Sequence, residues 1–441
     1  MSLSLDRYLH RVASGQTIRA EGQVKKVVGT IIEGQGPAIP VGGLCRILTT
    51  KASEPVPAEA VGFRDDRVLL MPLSSCDGVR PGCRILAEKY EARVGVGHDM
   101  LGRVIDALGR PLDSGPPLRP TKLVPLYARP LNPLQRKRIK EPLDVGVRAI
   151  NCLVTLAKGQ RCGIMAGSGV GKSVLLGMMA RYTKADVNVI ALIGERGREV
   201  KEFIERDLGE EGLKRSVVIT ATSDTSPLIR IRGAYLAAAV GEFFRDQEKD
   251  VLLMMDSVTR FAMAAREVGL ASGEPPTTKA YPPSVFAHLP KLLERAGTDG
   301  HGGSITGLYT VLVEGDDMNE PIGDAVRSIV DGHIVLDRRL ASRGHYPAID
   351  VLSSVSRLMS DVVEKAHLER AYELRRILAD YAKIEDLVNL GAYEKGNNPR
   401  TDRALEMIDE VNGLLQQDVV AASAMEEGLR DMTRLLTFKK L

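Results

Sequence analysis

The chain has 441 residues, of which 44% are hydrophobic and 27% are charged, a composition typical of a soluble globular protein of two or three domains. Its 60 basic and 57 acidic residues give a net charge of +3, and aromatic residues make up 4%. This balance argues against the basic, aromatic-rich surface of many nucleic-acid-binding proteins, so we expect no nucleic-acid partner. We expect a cytoplasmic location, because the sequence shows neither a signal peptide nor an apolar run long enough to span a membrane.

Residues 1–20 form a separate amphipathic segment before the first domain, and within it residues 1 to about 12 predict a helix. One face of this helix carries the apolar side chains, which are Met1, Leu5, Tyr8, Leu9 and Val12. A helix this short is marginal alone in water, and burying its apolar side chains returns less free energy than ordering its backbone costs. We therefore expect the segment to dock on a partner protein, with packing against its own barrel as the alternative.

Three further domains follow along the chain, and together they indicate an α/β fold. Residues 21–95 contain short apolar runs separated by Gly and Pro, a pattern that predicts a small β-barrel. Residues 96–353 alternate apolar strands with helical stretches, which predicts a parallel sheet buried on both faces. Residues 354–441 have helical periodicity and predict a C-terminal helical domain.

Residues 166–173 read AGSGVGKS and lie between an apolar run and a helical pattern. This strand–loop–helix context is that of a phosphate-binding P-loop, although Ala166 stands where the usual pattern opens with Gly. We predict that Lys172 reaches the β- and γ-phosphates of ATP and that Ser173 ligates Mg²⁺. The predicted nucleotide-binding residues of the loop are Gly167, Ser168, Gly169, Val170, Gly171, Lys172, Ser173 and Val174.

Two apolar strands are followed by acidic residues that can complete this site. Residues 251–255 lead into Asp256, and an acid at the carboxyl end of such a strand can hold Mg²⁺. Residues 188–193 lead into Gly194 and Glu195. If that strand neighbours the P-loop strand, Glu195 would face the γ-phosphate and polarise the attacking water. From the residues alone, a solvated salt bridge between Glu195 and its neighbouring arginines stays equally open.

Longer motifs in the same region resemble a known family. GERGRE at residues 194–199 and DSVTRFAMAAREVG at residues 256–269 are similar to the catalytic subunits of rotary ATPases, in which the matching Glu activates water. This resemblance assigns that role to Glu195 and adds Arg196 to the predicted catalytic residues. Residues 273–297 are similar to the type III secretion branch of the family, as is the GAYEKG motif that precedes Asp402, and residues 314–359 are similar to flagellar export ATPases in particular.

The resemblance implies a RecA-like ATPase domain and a homohexamer with a site at each subunit interface. Arg357, in the motif SVSR, matches the arginine that reaches the γ-phosphate of a neighbouring subunit. Tyr346 matches the residue that lies against adenine in ATP synthase catalytic subunits. Those enzymes place further aromatic residues where this chain reads LLQQD at residues 414–418, so its selectivity for adenine stays open. The acidic DELSEED loop, which couples the synthase to its central stalk, is missing.

The predicted function is Mg²⁺-dependent ATP hydrolysis that energises flagellar type III protein export, by releasing chaperones from cargo and delivering unfolded substrates to a membrane gate. The resemblance implies several partners: a stator-like regulatory protein at the N-terminus, a central stalk-like protein, export-gate membrane proteins and chaperone–cargo complexes. The implied location is peripheral, at the inner face of the membrane export apparatus.

Four other functions are alternatives to flagellar export. An injectisome ATPase is the nearest, and the MNE sequence at residues 318–320 favours the flagellum over it. A rotary ATP synthase subunit is disfavoured by the missing acidic loop, and a hexameric RNA translocase is disfavoured by a barrel with only Phe63 and Tyr90 as aromatics. A non-catalytic nucleotide-holding subunit is disfavoured because Lys172, Glu195 and Asp256 occur together.

Overall fold

The computed structural model describes residues 20–49, 54–89, 91–313, 317, 320–396 and 398–438. The predicted docking segment at residues 1–20, apart from its last residue, lies outside these ranges, as do Met318 and Asn319 of the MNE sequence. The chain divides into two compact units. The smaller unit contains the described residues up to Arg93 together with Val268–Pro275, and the larger contains Val94–Glu267 and the described residues from Pro276 onward.

The smaller unit is built on a six-stranded barrel. Its strands are β1 (Glu21–Val28), β2 (Ile31–Gln35), β3 (Leu44–Leu48), β4 (Val56–Arg64), β5 (Arg67–Pro72) and β6 (Arg84–Lys89). They pair antiparallel and close in the order β1-β2-β5-β4-β3-β6. Val24, Ile47, Leu70 and Ile85 fill the interior and are fully buried. Gly34 leaves room for them, because a Cβ there would lie 2.4 Å from Ile85 Cδ1. The predicted barrel is confirmed.

The remaining strands build the larger unit. They are β7 (Arg93–Val96), β8 (Arg103–Asp106), β9 (Lys122–Pro125), β10 (Pro142–Leu143), β11 (Leu156–Ala157), β12 (Arg161–Ala166), β13 (Val187–Ile193), β14 (Ser216–Ala221), β15 (Asp250–Asp256), β16 (Gly297–Thr298), β17 (Ser304–Leu312), β18 (Gly332–Leu336) and β19 (Ile349–Ser356). The main sheet has the order β19-β18-β12-β17-β15-β13-β14-β8, with β16 beside β17. Two small sheets pair β10 with β11 and β7 with β9.

The main sheet is parallel except at β19 and β16, which pair antiparallel with β18 and β17. All seven residues of β13 and all six residues of β14 are buried, without the alternation of a half-exposed strand. Such continuous burial is expected of parallel strands that are covered on both faces, and it confirms the predicted sheet. Because its strands run in one direction, β12, β13, β15 and β17 all end at the same edge of the sheet.

Helices follow several of these strands and then make up the C-terminal part of the chain. In the described residues they are Arg148–Leu153, Lys172–Tyr182, Gly197–Glu202, Gly209–Lys214, Pro227–Arg245, Val258–Ser272, Pro283–Leu293, Pro321–Ile329, Arg338–Ser342, Met359–Val362, Lys365–Asn389, Pro399–Leu415 and Met425–Phe438. A π-helical turn spans Phe203–Leu208, and short 3₁₀ turns span His98–Met100, Pro133–Gln135 and Thr278–Ala280. None of the described helices combines the length and apolar character needed to cross a membrane.

The three last helices confirm the predicted helical region, and Lys365–Asn389 shows why it forms. Its buried residues recur every three or four positions, at His367, Ala371, Leu374 and Ile377. This spacing places them on one helix face, and they pack into the core of the larger unit. β19 continues past residue 353 to Ser356, so the proposed division at residues 353 and 354 falls inside a strand.

Candidate active site

The P-loop connects the end of β12 to the helix Lys172–Tyr182. Gly169 and Gly171 have φ values of +79° and +87°, in the left-handed region where glycine carries no steric penalty. Gly171 is the N-cap of the helix, so Lys172 and Ser173 occupy its first turn. The unpaired N–H groups of this turn and the helix dipole form a site for an anion.

Lys172 brings together the two predicted carboxylates. Its ammonium group forms an ion pair with Asp256 at the end of β15, and its Nζ lies 3.9 Å from Glu195 Oε1. All three side chains are largely shielded from solvent. The structure therefore places the P-loop lysine between two acids at the edge where the parallel strands end.

The strand that precedes Glu195 does not neighbour the P-loop strand, so the condition set for Glu195 in the sequence is not met. β13 pairs with β14 and β15, so β15 and β17 lie between it and the P-loop strand β12. Glu195 nevertheless reaches Lys172, because Gly194 turns the chain immediately after β13 with a φ of +72°. The strand itself is marked by a local apolar run, but strand order depends on pairings between distant segments.

Burial raises the pKa of the Glu195 carboxyl to about 7, with a further contribution from the negative charge of Asp256. The Lys172 ammonium opposes this shift, and a hydrogen bond with Glu199 adds to it. A carboxyl group with a pKa close to neutral pH can accept a proton from water and release it again, as general base catalysis requires. The Glu195 side chain is 16% exposed and its ion-pair partner is Lys172, so the alternative of a solvated salt bridge with the neighbouring arginines does not describe it.

Thr310, which no sequence motif marks, orients Asp256. Its Oγ1 donates a 2.6 Å hydrogen bond to Asp256 Oδ1 and lies 3.3 Å from the carbonyl oxygen of Met255. Thr310 is fully buried on β17, the strand between β12 and β15. Only the register of these strands identifies it, since nothing in the run SITGLYTVLV separates this threonine from other core residues.

Two arginines near Glu195, Arg196 and Arg260, differ in their exposure and in their contacts. The side chain of Arg196 is 78% exposed, and its Nη1 lies 2.9 Å from Glu199 Oε1, so it is not among the groups gathered around Lys172. Arg260, which the sequence analysis did not select, lies one turn after Asp256 and packs on Gly194, where a Cβ would be 2.7 Å from Arg260 Cβ. Its Nε is buried and has no hydrogen-bond partner in the described part of the chain. Arg260 is thus a partly buried cation beside the Glu195 turn.

Tyr346 lies against the P-loop, as expected for a residue that contacts a base. A Cβ at Gly171 would be 3.6 Å from the Tyr346 ring. The ring borders a cavity of about 240 Å³ that is lined mainly by apolar side chains of the P-loop helix and of the segment that follows β18. The lining residues are Val170, Gly171, Val174, Leu175, Met178, Leu336, Tyr346, Pro347, Ala348, Gln417 and Val419. Gln417 and Val419, in the segment after helix Pro399–Leu415, line this cavity. Leu414 and Leu415, the last two residues of that helix, are instead buried in the core.

Arg357 lies at the opposite end of the P-loop strand from the P-loop itself. Its backbone N–H donates to the carbonyl of Asp331, whose own N–H donates to the carbonyl of Arg161, the first residue of β12. The six residues of β12 separate that end from the P-loop, a distance of roughly 17 Å at about 3.3 Å per residue. Within one subunit, Arg357 is therefore remote from Lys172 and Glu195.

The nucleotide-binding region matches a known family along its whole length. Residues 146–356 match the nucleotide-binding domain of the ATP synthase alpha/beta family, and residues 24–88 match the β-barrel domain of that family. Residues 363–434 match the C-terminal domain of the type III secretion ATPase EscN. The chain belongs to the type III secretion ATPases of the ATP synthase alpha/beta family. The prediction of an ATPase with a barrel, a central parallel sheet and a helical C-terminal region is therefore confirmed.

Individual relatives of this ATPase cover almost all of its length. It is 52% identical to the flagellum-specific ATP synthase of Bacillus subtilis over 94% of each chain. It is 47% identical to the type 3 secretion system ATPase of Xanthomonas euvesicatoria over 98% of this chain and 97% of the relative. Its structure resembles that of the assembled ATPase EscN of enteropathogenic E. coli, with a TM-score of 0.89, 44% identity, and coverage of 94% of this chain and 100% of EscN. EscN in complex with its central stalk EscO gives a TM-score of 0.87 at the same identity and coverage.

Proposed function

We propose that this ATPase hydrolyses ATP in a Mg²⁺-dependent reaction at Lys172, Glu195 and Asp256, and that it energises flagellar type III protein export. The observation that carries the proposal is the convergence of these three side chains beside the P-loop, with the pKa of Glu195 raised to about 7. The P-loop N–H groups and Lys172 bind the phosphates, and Tyr346 borders the cavity for the base.

The residues present fit a magnesium ion, since Mg²⁺ prefers oxygen ligands and keeps several waters. Ser173 supplies a hydroxyl in the first turn of the P-loop helix, and Asp256 supplies a carboxylate whose orientation Thr310 fixes. Bound Mg²⁺ neutralises charge on the phosphates. When the nucleotide binds, Lys172 leaves its ion pair with Asp256 and pairs with the β- and γ-phosphates, because these carry more negative charge than the carboxylate.

Glu195 acts as the general base for the attacking water. Its deprotonated carboxylate accepts a proton as the water oxygen bonds to the γ-phosphorus, and the bond from that phosphorus to the bridging oxygen of ADP breaks. The products are ADP and inorganic phosphate, and the proton on Glu195 then returns to solvent. Arg260, which packs on the Gly194 turn beside this carboxylate, is assigned to stabilise charge on the transferred group, whereas Arg196 is exposed and paired with Glu199 and could reach that group only by changing its side-chain conformation.

A homohexamer supplies the remaining cation. Arg357 is too far from the P-loop of its own subunit to reach a bound nucleotide, which supports a role at the site of a neighbouring subunit. The assembled state named for EscN supports the same arrangement, at 44% identity over 94% of this chain. An arginine supplied by a neighbour accelerates phosphoryl transfer by about 10³–10⁵-fold in other nucleotide hydrolases.

The flagellar role is favoured by the flagellum-specific relative, which is 52% identical, over the injectisome relatives, which are 47% and 44% identical. An injectisome ATPase is the second candidate, since its named relatives cover nearly the whole chain. In either role the ATPase works at the cytoplasmic face of a membrane export apparatus, where it contacts export-gate proteins and releases chaperones from unfolded cargo. A central stalk-like protein, as named for EscO with EscN, and a stator-like regulator at residues 1–20 complete the proposed set of partners.

One experiment tests both parts of this proposal. A strain that lacks this ATPase is complemented with the wild-type chain or with Glu195→Gln, and flagellar hook and filament protein in the medium are measured. We expect export with the wild-type chain and strongly reduced export with the variant. Normal secretion of flagellar protein without the ATPase, together with a loss of injectisome effectors, would instead identify the second candidate.

A further inference from the structure

The segment after the helix Pro399–Leu415 forms part of the wall of the base cavity. Two of its residues, Gln417 and Val419, line this cavity opposite the P-loop helix. The segment belongs to the C-terminal helical region, whereas Tyr346 follows β18 in the sheet domain. The shape of the cavity therefore depends on the contact between the segment that follows helix Pro399–Leu415 and the segment that contains Tyr346.

Gln417 makes four hydrogen bonds at this junction. Its backbone N–H donates to the carbonyl of Tyr346 at 3.0 Å. Its Nε2 donates to the carbonyls of Gly146 and Ala421 at 2.8 and 2.7 Å, and its Oε1 accepts the N–H of Arg148 at 2.8 Å. The side chain is buried, and both of its amide N–H groups are used by these two carbonyls.

Val419 is held from the other side. Arg181 Nη2 donates to the Val419 carbonyl at 2.7 Å, and the Tyr182 hydroxyl lies 3.4 Å from the same oxygen. Arg181 and Tyr182 are the last two residues of the P-loop helix. The segment is thus attached to the loop before helix Arg148–Leu153 through Gln417, and to the P-loop helix through Val419.

We infer that Gln417 is a positioning residue for nucleotide binding: it fixes Tyr346 and the cavity wall against the P-loop helix. This inference rests on the proposed function, because it assigns the cavity beside Tyr346 to the base of the nucleotide. Gln417 acts through the residues that it holds rather than by donating to the base, since its N–H groups are committed to Gly146 and Ala421. The phosphate-binding turn at Gly171 and Lys172 does not depend on these bonds.

Substitution of Gln417 should therefore weaken the binding of a ligand that has a base and leave unchanged the binding of a ligand without one. In Gln417→Met the side-chain length is kept, but the N–H of Arg148 and the carbonyl of Ala421 lose their bond to this side chain, and the carbonyl of Gly146 keeps only the N–H of Ser423. Binding of ADP and of pyrophosphate to the full-length protein with Mg²⁺ is measured by isothermal titration calorimetry. We expect the Kd for ADP to rise about tenfold and the Kd for pyrophosphate to stay within about twofold. In turnover, the KM for ATP rises while kcat changes little.

Gln416→Met is the matched control, because Gln416 is the adjacent exposed residue. It should leave both dissociation constants unchanged. Gln417→Glu is a second variant in case Gln417→Met folds poorly: it keeps the acceptor for Arg148 but loses both donated bonds, and it should also weaken ADP selectively.

Two outcomes would overturn the inference. In one, ADP and pyrophosphate binding weaken equally, which would show a general structural defect. In the other, both stay unchanged in Gln417→Met and in Gln417→Glu. In either case Lys172→Ala would still abolish turnover if the proposed function is correct, so the two failures can be told apart.

Discussion

Glu195 Oε1 lies 3.9 Å from Lys172 Nζ, although the strands that precede these two residues are separated by two others in the sheet. The P-loop, Asp256 and Glu195, which lie at the ends of three different strands, therefore meet at one edge of the sheet. Asp256 makes the direct ion pair with Lys172, and Glu195 stands slightly farther away. This difference agrees with the proposed roles, in which Asp256 binds the metal and Glu195 activates the attacking water.

Thr310 is expected to contribute to turnover through Asp256. Thr310→Val keeps the shape of this buried side chain but removes the 2.6 Å hydrogen bond to Asp256 Oδ1. Loss of a hydrogen bond to a buried charged group costs about 1.5–3 kcal/mol, so we expect kcat/KM for MgATP to fall at least about tenfold. Thr310→Ser keeps the hydroxyl and should retain most of the activity. Equal activity of the Val and Ser variants would show that this bond has no role in catalysis.

The pH dependence of turnover should report Glu195. The general base acts deprotonated, and the pKa of this carboxyl is raised to about 7. kcat/KM, which reports the free enzyme, should therefore rise with pH through about 7 and level off above it. The residual activity of Glu195→Gln should lack this step. A wild-type profile that is flat between pH 6 and pH 8 would contradict the assignment.

The same raised pKa predicts an effect on stability. Because the folded state holds the proton of Glu195 more tightly than the unfolded state does, stability is lost as pH rises from the ordinary carboxyl pKa to about 7. Glu195→Gln removes this cost, so we expect its melting temperature to exceed that of the wild type most clearly above pH 7. A difference that is equal at pH 5 and pH 8 would show that the carboxyl is not destabilised by its surroundings.

Arg357 is expected to act on a neighbouring subunit. Specific activity should rise with protein concentration, and a mixture of inactive Arg357→Ala and Lys172→Ala chains should regain activity, because some interfaces then pair an intact P-loop with an intact arginine. A mixture of Lys172→Ala and Glu195→Gln chains is the control, since both changes affect the same side of an interface and should not complement. Activity independent of concentration, without rescue in the first mixture, would exclude a role in trans.

The N-terminal segment is expected to bind the stator-like regulator. Deletion of residues 1–18 should abolish co-purification with this protein and leave basal ATP hydrolysis largely intact. Leu9→Asp, on the predicted apolar face, should weaken the association, whereas Ser4→Asp on the polar face should not. Full retention of the regulator by the truncated chain in a pull-down assay would refute the prediction.

Local patterns were sufficient to predict the P-loop and Asp256. A P-loop is one continuous strand, turn and helix, and its glycines, lysine and serine are adjacent in sequence. Asp256 is likewise marked by the strand that it ends. These features need no knowledge of distant pairings.

Features that depend on distant pairings leave no mark in the local sequence. The order of β12, β17, β15 and β13 is set by contacts between segments far apart in the chain, so the sequence could not establish which strands lie beside the one that precedes Glu195. Thr310 became visible only through the register of β17 beside β15, in which Tyr309 pairs with Met255. Gln417 lies at the base cavity because hydrogen bonds to Gly146 and Arg148 hold it there. No local pattern connects these two residues with Gln417.

The most direct test of the account compares nucleotide binding and turnover in Glu195→Gln. The substitution keeps the size of the side chain and removes only the base, so we expect the Kd for MgATP to stay close to that of the wild type. kcat should fall by about 10²–10⁴-fold. Lys172→Ala, in contrast, should lose binding as well as turnover. If Glu195→Gln hydrolysed ATP within a few-fold of the wild-type rate, Glu195 would not be the general base and the proposed mechanism would be wrong.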